Sequence, residues 1–443
     1  MARPRVLYVS LNHPAVRPGG LEVYALDLYE TVKGGTDFDA VFLARTGPPF
    51  TTEPPQHPDS GLTMVGDDPN QYLFTNGIAP DLSNYDALFG TTPDPGASSR
   101  QFADFLRNVQ PDIVHFQHTL FMGYDLIRVA RNTLPDAPIL LMLPEYVPIC
   151  HRDGQMVRTL NEELCEEESP RRCHECFPEI APQTFSMRKR YIQSHLGLVD
   201  CFIAPLDYVK QRYAEWGIPE SKIVVEPFGF SGAGRPEPED PSEPRARNRF
   251  AFFGQLNPYK GADVMLRAID ILGEDFDGEL RIYGGNLEMQ DPRWQERFAT
   301  LLHERDNVIF PGRYDRDDMG KLMARIDWVL VPSVWWETGP LVVWEAFQHG
   351  RPVICSDIGG MAEKVTDGVN GLHFRRGDAD DLAGKMMQAV QTPGLWDRLH
   401  AGVPSPAGHS MSDHVAALTE IYRRLLAERS APEAPSPAGV AHG

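Results

Sequence analysis

The chain has 443 residues, which is too long for one ordinary domain and predicts two or three. Its 62 Asp and Glu residues outnumber 42 Lys and Arg residues, and the net charge of −20 argues against nucleic acid as a partner. A content of 42% hydrophobic and 23% charged residues is typical of a globular protein. The chain has no apolar run of 18 residues and no signal-peptide pattern, so we expect a cytoplasmic protein with at most peripheral membrane contact.

The first half of the chain alternates predicted strands and helices. A strand at 6–11 leads through Gly19-Gly20 into a helix at 21–32, whose apolar residues follow helical i, i+3, i+4, i+7 spacing. Further strands are predicted at 38–43, 113–116, 139–143, 201–204 and 223–225, and a helix at 97–109. The stretch 46–96 is rich in Pro, Thr, Asp and Gly, which predicts a long segment without regular secondary structure.

A second alternating series follows a linker. Residues 229–248 contain four prolines and no apolar periodicity, so they predict a linker. Strands are then predicted at 250–253, 280–283, 308–310, 328–331 and 353–355, with helices near 262–272, 316–325, 341–349 and 379–391. The two series predict an α/β protein with two doubly wound domains, 1–228 and 249–410, that face each other across a ligand-binding cleft. The Ala/Pro/Ser-rich end, 429–443, is predicted to be disordered.

The most informative motif is Glu337-Thr-Gly-Pro-Leu-Val-Val-Trp-Glu345. It follows a predicted strand and runs into a helix, whose unpaired N–H groups suit a phosphate or sugar oxygen. Two carboxylates eight positions apart could accept hydrogen bonds from hydroxyl groups. In isolation, two such glutamates are more often solvated surface residues. The preceding tryptophans and the Gly-Pro turn favour a ligand-binding site instead.

Two other segments suit a phosphate. Lys260 sits at a predicted helix start after a strand, and its ammonium is a mobile point charge. Gly19-Gly20 follows the first strand, where glycines let the backbone approach a phosphate closely. The segment lacks the G-x-G-x-x-G spacing, so a stand-alone dinucleotide site is not predicted.

Four cysteines lie in an acidic insertion at 145–185. Cys150, Cys165, Cys173 and Cys176 are separated by 14, 7 and 2 residues, and the last interval is typical of zinc ligands. Four thiolates would form a closed structural site that stabilises a loop-rich segment. Free thiols, disulfides and an iron–sulfur cluster are the alternatives.

Together these motifs resemble glycosyltransferase family 4, retaining nucleotide-sugar transferases of the GT-B fold. The segments 111–118, 355–360 and 367–372 also look like this family, and the resemblance extends over about residues 3–428. It implies two Rossmann-like domains, a last helix at 411–428 that returns to the N-terminal domain, and no catalytic metal. The implied reaction moves a hexose from a UDP or GDP type nucleotide-diphosphate sugar to a glycan, lipid-linked or small-molecule acceptor.

The resemblance also implies a role for each site residue. Glu337 would hold sugar hydroxyls and Glu345 the ribose, while Lys260 and the N–H groups of Gly19-Gly20 would stabilise the diphosphate leaving group. His118 would line the acceptor side at the reacting carbon. The implied donor site comprises Gly19, Gly20, Gln255, Lys260, Arg313, Glu337, Gly339, Pro340, Leu341, Val342 and Glu345, and the catalytic residues are His118, Glu337 and Lys260.

This chain departs from the family pattern twice. Gln255 stands where the family usually has Arg, so the diphosphate clamp is short of one charge unless Arg313 supplies it. The usual His-x-His is here His115-x-Gln117, followed by His118. His118 is the favoured reactive-site residue, and Gln117 is the alternative.

Three further interpretations stay open. The two glutamines also fit a non-catalytic nucleotide-sugar-binding protein, and a GT-B epimerase or hydrolase is the other competing class. The basic cluster 188–190 on an amphipathic helix could touch a membrane or a charged acceptor, although such a turn is more often a solvated face.

Overall fold

A computed structural model of the chain describes residues 3–17, 19–47, 62–75, 86–91, 95–230, 246–273, 276–302, 306–405 and 410–430. Most of the predicted linker, 231–245, and most of the predicted disordered tail, 431–443, lie outside the described residues. In the described part, no helix is both long and apolar enough to cross a membrane.

The first half builds an eight-stranded sheet in the order β3-β4-β2-β1-β5-β6-β7-β8. Its strands are β1 (Arg5–Ser10), β2 (Asp39–Thr46), β3 (Leu62–Met64), β4 (Gln71–Thr75), β5 (Ile113–Phe116), β6 (Ile139–Met142), β7 (Cys201–Ala204) and β8 (Ile223–Val225). All neighbours pair in parallel except β3 with β4, which pair antiparallel. The central strands are apolar runs buried on both faces, as in a sheet covered by helices on both sides.

The second half builds a six-stranded parallel sheet in the order β11-β10-β9-β12-β13-β14. Its strands are β9 (Arg249–Gln255), β10 (Glu279–Gly285), β11 (Val308–Gly312), β12 (Trp328–Val331), β13 (Val353–Ser356) and β14 (Gly371–Phe374). The predicted pair of doubly wound domains is therefore confirmed.

Helices follow the strands in both halves. Those of the first half are α1 (Gly20–Gly35), α2 (Pro95–Val109), α3 (Asp125–Thr133), α4 (Pro170–Cys176), α5 (Pro182–Leu196) and α6 (Asp207–Trp216). Those of the second half are α7 (Ala262–Leu272), α8 (Pro292–Leu301), α9 (Met319–Met323), α10 (Leu341–Gln348), α11 (Gly359–Lys364), α12 (Ala379–Gln391), α13 (Leu395–Ala401) and α14 (Met411–Ser430). Of the four 3₁₀ turns in the described residues, the one that bears on the site spans Pro258–Lys260.

The structure corrects the predicted elements in a few places. The stretch predicted to be irregular contains β3 and β4, which are short and lie at the edge of the sheet, where strands carry little apolar periodicity. The short elements α8, α11, α13 and β14 were not predicted either. Arg188 is 2% exposed and donates to the carbonyls of Pro148 and Val147 at 2.7 and 2.6 Å, so the basic turn is not a solvated face at this residue.

Helix α14 lies against the first domain and is held there by buried polar contacts. The Tyr422 hydroxyl is 3.1 Å from the Tyr8 hydroxyl and 2.8 Å from Nδ1 of His115. Nε2 of His414 is 2.7 Å from the Tyr24 hydroxyl. These partners satisfy polar groups that burial would otherwise penalise, so the contacts fix the helix in one place.

Both sheets reverse their strand order at one point, between β1 and β5 and between β9 and β12. At such a switch point the loops leave the carboxyl ends of neighbouring strands in opposite directions and open a crevice for a ligand. Gly19-Gly20 follows β1 and His118 follows β5, while Lys260 follows β9 and Glu337 follows β12. The predicted site residues thus lie at the two switch points.

Candidate active site

Glu337 lies at the centre of the predicted donor site, which is called the donor side below. It is 5% exposed, and its Oε1 accepts hydrogen bonds from Lys260 Nζ at 2.7 Å, Ser333 Oγ at 2.6 Å and Trp335 Nε1 at 2.9 Å. A buried carboxylate needs such partners, because an unpaired buried charge is strongly destabilising. The three donors fix the orientation of the carboxylate before any ligand binds.

The loop that carries Lys260 is shaped by its neighbours. Asn257 Oδ1 accepts from the backbone N–H groups of Tyr259 and Lys260, both at 3.0 Å, and thereby caps the 3₁₀ turn. Gly261 adopts φ +71°, and a Cβ at this position would overlap the carbonyl of Pro332. Glycine is therefore required for this turn to pack against the end of β12 and to bring Lys260 to Glu337.

The second half of the Glu337 motif faces the first domain. A Cβ on Gly339 would come within 2.6 Å of the Phe228 ring, and a Cβ on Gly20 would come within 3.3 Å of Leu341. Pro340 is the N-cap of α10, so Leu341 and Val342 form its first turn. Glu345 lies in α10, half-buried, in the second turn of this helix. The loop between Glu337 and α10 therefore lies beside Gly19-Gly20, as a shared donor site requires.

His118 defines the opposite wall. It is 5% exposed, and its Nδ1 accepts from the backbone N–H of Leu120 at 2.9 Å, so Nε2 carries the proton that it donates to Glu145 Oε1 at 3.1 Å. Burial alone would lower the pKa of His118, but the carboxylates of Glu145 and Glu22 outweigh burial and raise the pKa above its ordinary value. The proton on Nε2 is thus held against Glu145, while Nδ1 is the acceptor for the Leu120 N–H.

The two neighbours of His118 in the altered motif have different surroundings. His115 is buried inside β5 against Tyr422, and burial together with His414 lowers its pKa to about 3, so it is an internal neutral residue. Gln117 is 4% exposed, and neither its Oε1 nor its Nε2 has a hydrogen-bond partner. The structure brings both His118 and Gln117 to the end of β5, and neither alternative for the reactive-site position is excluded by location.

Gln255 and Arg313 are both neighbours of Gly285 in β10. Gln255 is the last residue of β9 and pairs in register with Gly285 of β10. The side chain of Arg313 packs against Gly285 and forms an ion pair with Glu288. Gly285 therefore lies between Gln255 and Arg313. Arg313 stays the predicted substitute for the missing cation.

The four cysteines of the insertion are free thiols in the structure. Cys173 and Cys176 are one turn apart in α4, and the carbonyl of Cys176 accepts from Thr159 Oγ1 at 3.1 Å. Burial, with smaller contributions from Glu168, Cys150 and Cys165, raises the pKa of Cys173 to about 12. Among the described residues, however, no three His, Cys, Asp or Glu side chains are grouped closely enough to hold a metal ion.

The insertion and its neighbours connect the two domains. Trp336 Nε1 donates to the carbonyl of Cys165 at 3.1 Å, and Thr338 Oγ1 donates to the carbonyl of Pro144 at 2.6 Å. Across the same cleft, the Glu363 carboxylate accepts from the first N–H groups of α6 at 3.1 and 2.9 Å. The donor-side loop is therefore held against the first domain from both sides of Glu337.

Several residues of this site were missed by sequence reasoning. Glu22 and Glu145 flank His118, Ser333 contacts Glu337, and Thr338 joins the domains. Glu145 and Ser333 each follow the end of a predicted strand by a few residues, so their position at a strand carboxyl end was an available signal. Glu22 lies in the first turn of α1, where an acidic residue is also explained by the helix dipole.

Both halves of the chain match known protein families. The family model for Glycosyltransferase Family 4 matches residues 18–230, and the model for Glycosyl transferases group 1 matches residues 235–401. Glycogen synthase of Mycobacterium tuberculosis is 23% identical over 407 residues, which cover 89% of this chain and 88% of the relative. D-inositol 3-phosphate glycosyltransferase of Nocardioides sp. is 27% identical over 305 residues, covering 64% of this chain and 63% of the relative.

Solved structures share the fold. Anabaena HepE in complex with UDP and glucose superposes with a TM-score of 0.62 at 17% identity, covering 94% of this chain and 99% of that one. Sucrose-phosphate synthase of Thermosynechococcus elongatus superposes with a TM-score of 0.67 at 17% identity, covering 96% and 100%. Because the two family models match consecutive halves and both sheets match the GT-B fold, the chain belongs to the GT-B glycosyltransferases of the family 4 type.

Proposed function

We propose that this glycosyltransferase moves a hexosyl group from a nucleotide-diphosphate sugar to a glycan, lipid-linked or small-molecule acceptor and retains the configuration of the anomeric carbon. The observation that carries the proposal is the buried carboxylate of Glu337, held by Lys260 and Ser333 opposite the Gly19-Gly20 turn. A carboxylate fixed beside an ammonium suits a sugar hydroxyl next to a phosphate.

The leaving group in this reaction is a nucleoside diphosphate. Lys260, the N–H groups at the start of α1 and those at the start of α10 converge on the cleft, and all three favour negative charge. We assign them to the departing diphosphate. The UDP bound to Anabaena HepE makes UDP-sugars the first donors to test, and GDP-sugars the second.

A donor screen tests the proposal. Thermal unfolding of the full chain is measured with UDP, GDP and ADP and with their hexose conjugates, and donor hydrolysis is followed by release of the nucleotide. We expect one base to raise the Tm and its hexose conjugate to be turned over. Stabilisation without any turnover would favour the non-catalytic binding protein, and absence of both would refute the donor site.

The stereochemistry has its own test. With an α-linked donor, the anomeric proton of the product is read by NMR, and we expect an α linkage. A β linkage would show inversion and would contradict this part of the proposal while leaving the donor assignment intact.

A further inference from the structure

A row of two cationic and two aromatic side chains crosses the cleft from the cysteine insertion. The Arg152 guanidinium of the insertion lies 5.5 Å from the centre of the Tyr259 ring in the second domain. The Tyr259 ring lies 6.3 Å from the Trp335 ring, and Lys260 Nζ lies 5.4 Å from the Trp335 ring. All four side chains are half-buried. This cation–aromatic row therefore connects the first domain to the loops that carry the donor side.

The row ends on the carboxylate of Glu337. Trp335 Nε1 donates to Glu337 Oε1 at 2.9 Å, and Lys260 Nζ donates to the same oxygen at 2.7 Å. The backbone N–H of Val334 donates to the carbonyl of Tyr259 at 2.8 Å, which also joins the two loops through their backbones. A change in the position of the Tyr259 ring would therefore reach the Glu337 carboxylate through one indole ring.

Arg152 is presented by a tight turn of the insertion. Its Nη1 donates to the carbonyl of Val157 at 2.7 Å. Gly154, two positions further on, adopts φ +72°, and a Cβ at this position would come within 2.7 Å of the backbone nitrogen of Val147. Only glycine lets the turn pack this closely. The fold of the insertion therefore holds the guanidinium against Tyr259.

A second contact of the insertion reaches the same loop of the second domain. Arg376 Nη2 donates to the carbonyl of Glu162 in the insertion at 2.6 Å, and Arg376 Nε donates to the carbonyl of Val334 at 2.7 Å. Val334 directly precedes Trp335. The insertion is therefore bound to the donor-side loop on the backbone as well as through the cation–aromatic row.

A guanidinium over an aromatic ring is attracted by the negative face of the ring, and exclusion of water strengthens the attraction. Arginine suits this role because its planar group also stacks on rings. We infer that Arg152 is a positioning residue for Glu337 and acts from the first domain through Tyr259 and Trp335. The inference rests on the proposed function, in which Glu337 holds a hydroxyl of the transferred sugar. It gives the insertion a part in donor recognition.

The first test compares recognition of the sugar with recognition of the nucleotide. With the donor found in the nucleotide-sugar screen, Arg152→Met should lower kcat/KM by about 5- to 10-fold, the effect of one partly desolvated cation–π contact. The Kd of the free nucleoside diphosphate should change by less than about 2-fold, because this ligand has no sugar for Glu337 to hold. An unchanged kcat/KM, or a loss of nucleoside diphosphate binding as large as the loss of kcat/KM, would overturn the inference.

A double-mutant cycle tests the route. Tyr259→Leu removes the ring from the second domain and leaves the turn of the insertion intact. In the Tyr259→Leu background, Arg152→Met should change kcat/KM by less than about 2-fold, because both side chains act through one contact. Losses that multiply would overturn the inference.

Two further variants separate charge from general damage to the fold. Arg152→Lys keeps a cation over the ring and should retain at least about a third of the wild-type kcat/KM. A value as low as that of Arg152→Met would overturn the inference. Arg423→Met is the matched control, since it removes a guanidinium 5.7 Å from the Phe38 ring within the first domain, and it should leave kcat/KM unchanged.

Failure of the inference and failure of the proposed function give different results. If the wild-type protein turns over no donor, the proposed function fails. If the wild-type protein is active and Glu337→Ala is inactive, but Arg152→Met keeps the wild-type kcat/KM, only the role of Arg152 fails.

Discussion

At the scale of single residues, three donors converge on one oxygen of Glu337. Lys260 supplies the charge, and Ser333 and Trp335 supply neutral hydrogen bonds. This division means that Lys260 can turn toward a diphosphate while the carboxylate stays in place. The site therefore has a fixed element and a movable one.

We expect Glu337→Ala and Glu345→Ala each to abolish or severely reduce transfer, because each removes acceptors for sugar or ribose hydroxyls. A hydroxyl left unpaired in a buried site costs about 1–3 kcal/mol. The measurement is kcat/KM with the preferred donor, with circular dichroism to verify the fold. Near-normal kcat/KM in both variants would contradict the role of this motif.

Lys260→Ala should lower kcat by about 100-fold or more, since Gln255 leaves the diphosphate clamp short of one cation. Gln255→Arg should in turn tighten binding of the nucleoside diphosphate, as measured by calorimetry. If Gln255→Arg weakens binding while the fold is unchanged, Gln255 makes a specific contact of its own.

The pKa of His118 gives a prediction about pH. Its folded pKa lies above the unfolded value of about 6.5, so the protonated ring stabilises the fold fully below that value, and this contribution is lost as the pH rises through the folded pKa. Glu145→Gln should lower the pKa of His118, as read by NMR titration of its ring protons. The titration of His349, in the second domain, serves as the control, and an unchanged pKa of His118 would contradict the pairing.

At the scale of elements, the cysteine insertion has little regular structure before α4. It begins after β6, and its helix α4 is one of the shortest. Cys150 and Cys165 pack against the apolar core of the domain, while Cys173 and Cys176 approach from α4. A bound metal would have to draw the four thiols closer together than they are in this structure.

One structural zinc ion per chain stays a prediction from the spacing of the four cysteines, and it requires their thiols to move together into a closed tetrahedral site. Cys173→Ser should lose the metal and become sensitive to protease between about residues 145 and 185, since metal binding and folding are coupled. Cys201→Ser, in the buried strand β7, is the matched control and should keep the metal. Elemental analysis of protein purified without chelator decides the point: less than about a tenth of an equivalent of any transition metal, with four titratable thiols, refutes the site.

At the scale of the whole molecule, several polar contacts join the two domains across the cleft. Trp336 lies between the domains, with its Nε1 on the carbonyl of Cys165 and its ring 5.0 Å from the Arg212 guanidinium. Trp336 directly precedes Glu337. The contact of Trp336 with Cys165 therefore joins the domains next to the Glu337 carboxylate. Donor binding and closure should therefore be linked.

Trp336→Phe keeps an aromatic ring and removes the N–H donor. We expect a rise in donor KM of about 3- to 10-fold, the effect of one lost hydrogen bond, with a larger radius of gyration in small-angle scattering. Glu363→Gln, which weakens a second interdomain contact at the start of α6, should open the cleft in the same direction. An unchanged radius and KM in both variants would show that closure does not depend on these contacts.

The sequence by itself determined the two-domain α/β architecture, and it predicted that Lys260 and Glu337 share one cleft. Long apolar runs, glycine turns and the Glu337 motif are local patterns, and parallel strands necessarily bring their carboxyl ends to one edge. Lys260 and Glu337 could therefore be assigned to one cleft although 77 positions separate them.

The tertiary structure alone decided which side chains meet. Nothing local to Glu145 or Glu22 indicates that both face His118, because their proximity depends on how α1, β5 and β6 pack. The contact of Trp336 with Cys165 likewise depends on the relative position of the two domains. Such long-range pairs are set by the packing of whole elements, and a pattern read along a single chain carries no signal for them.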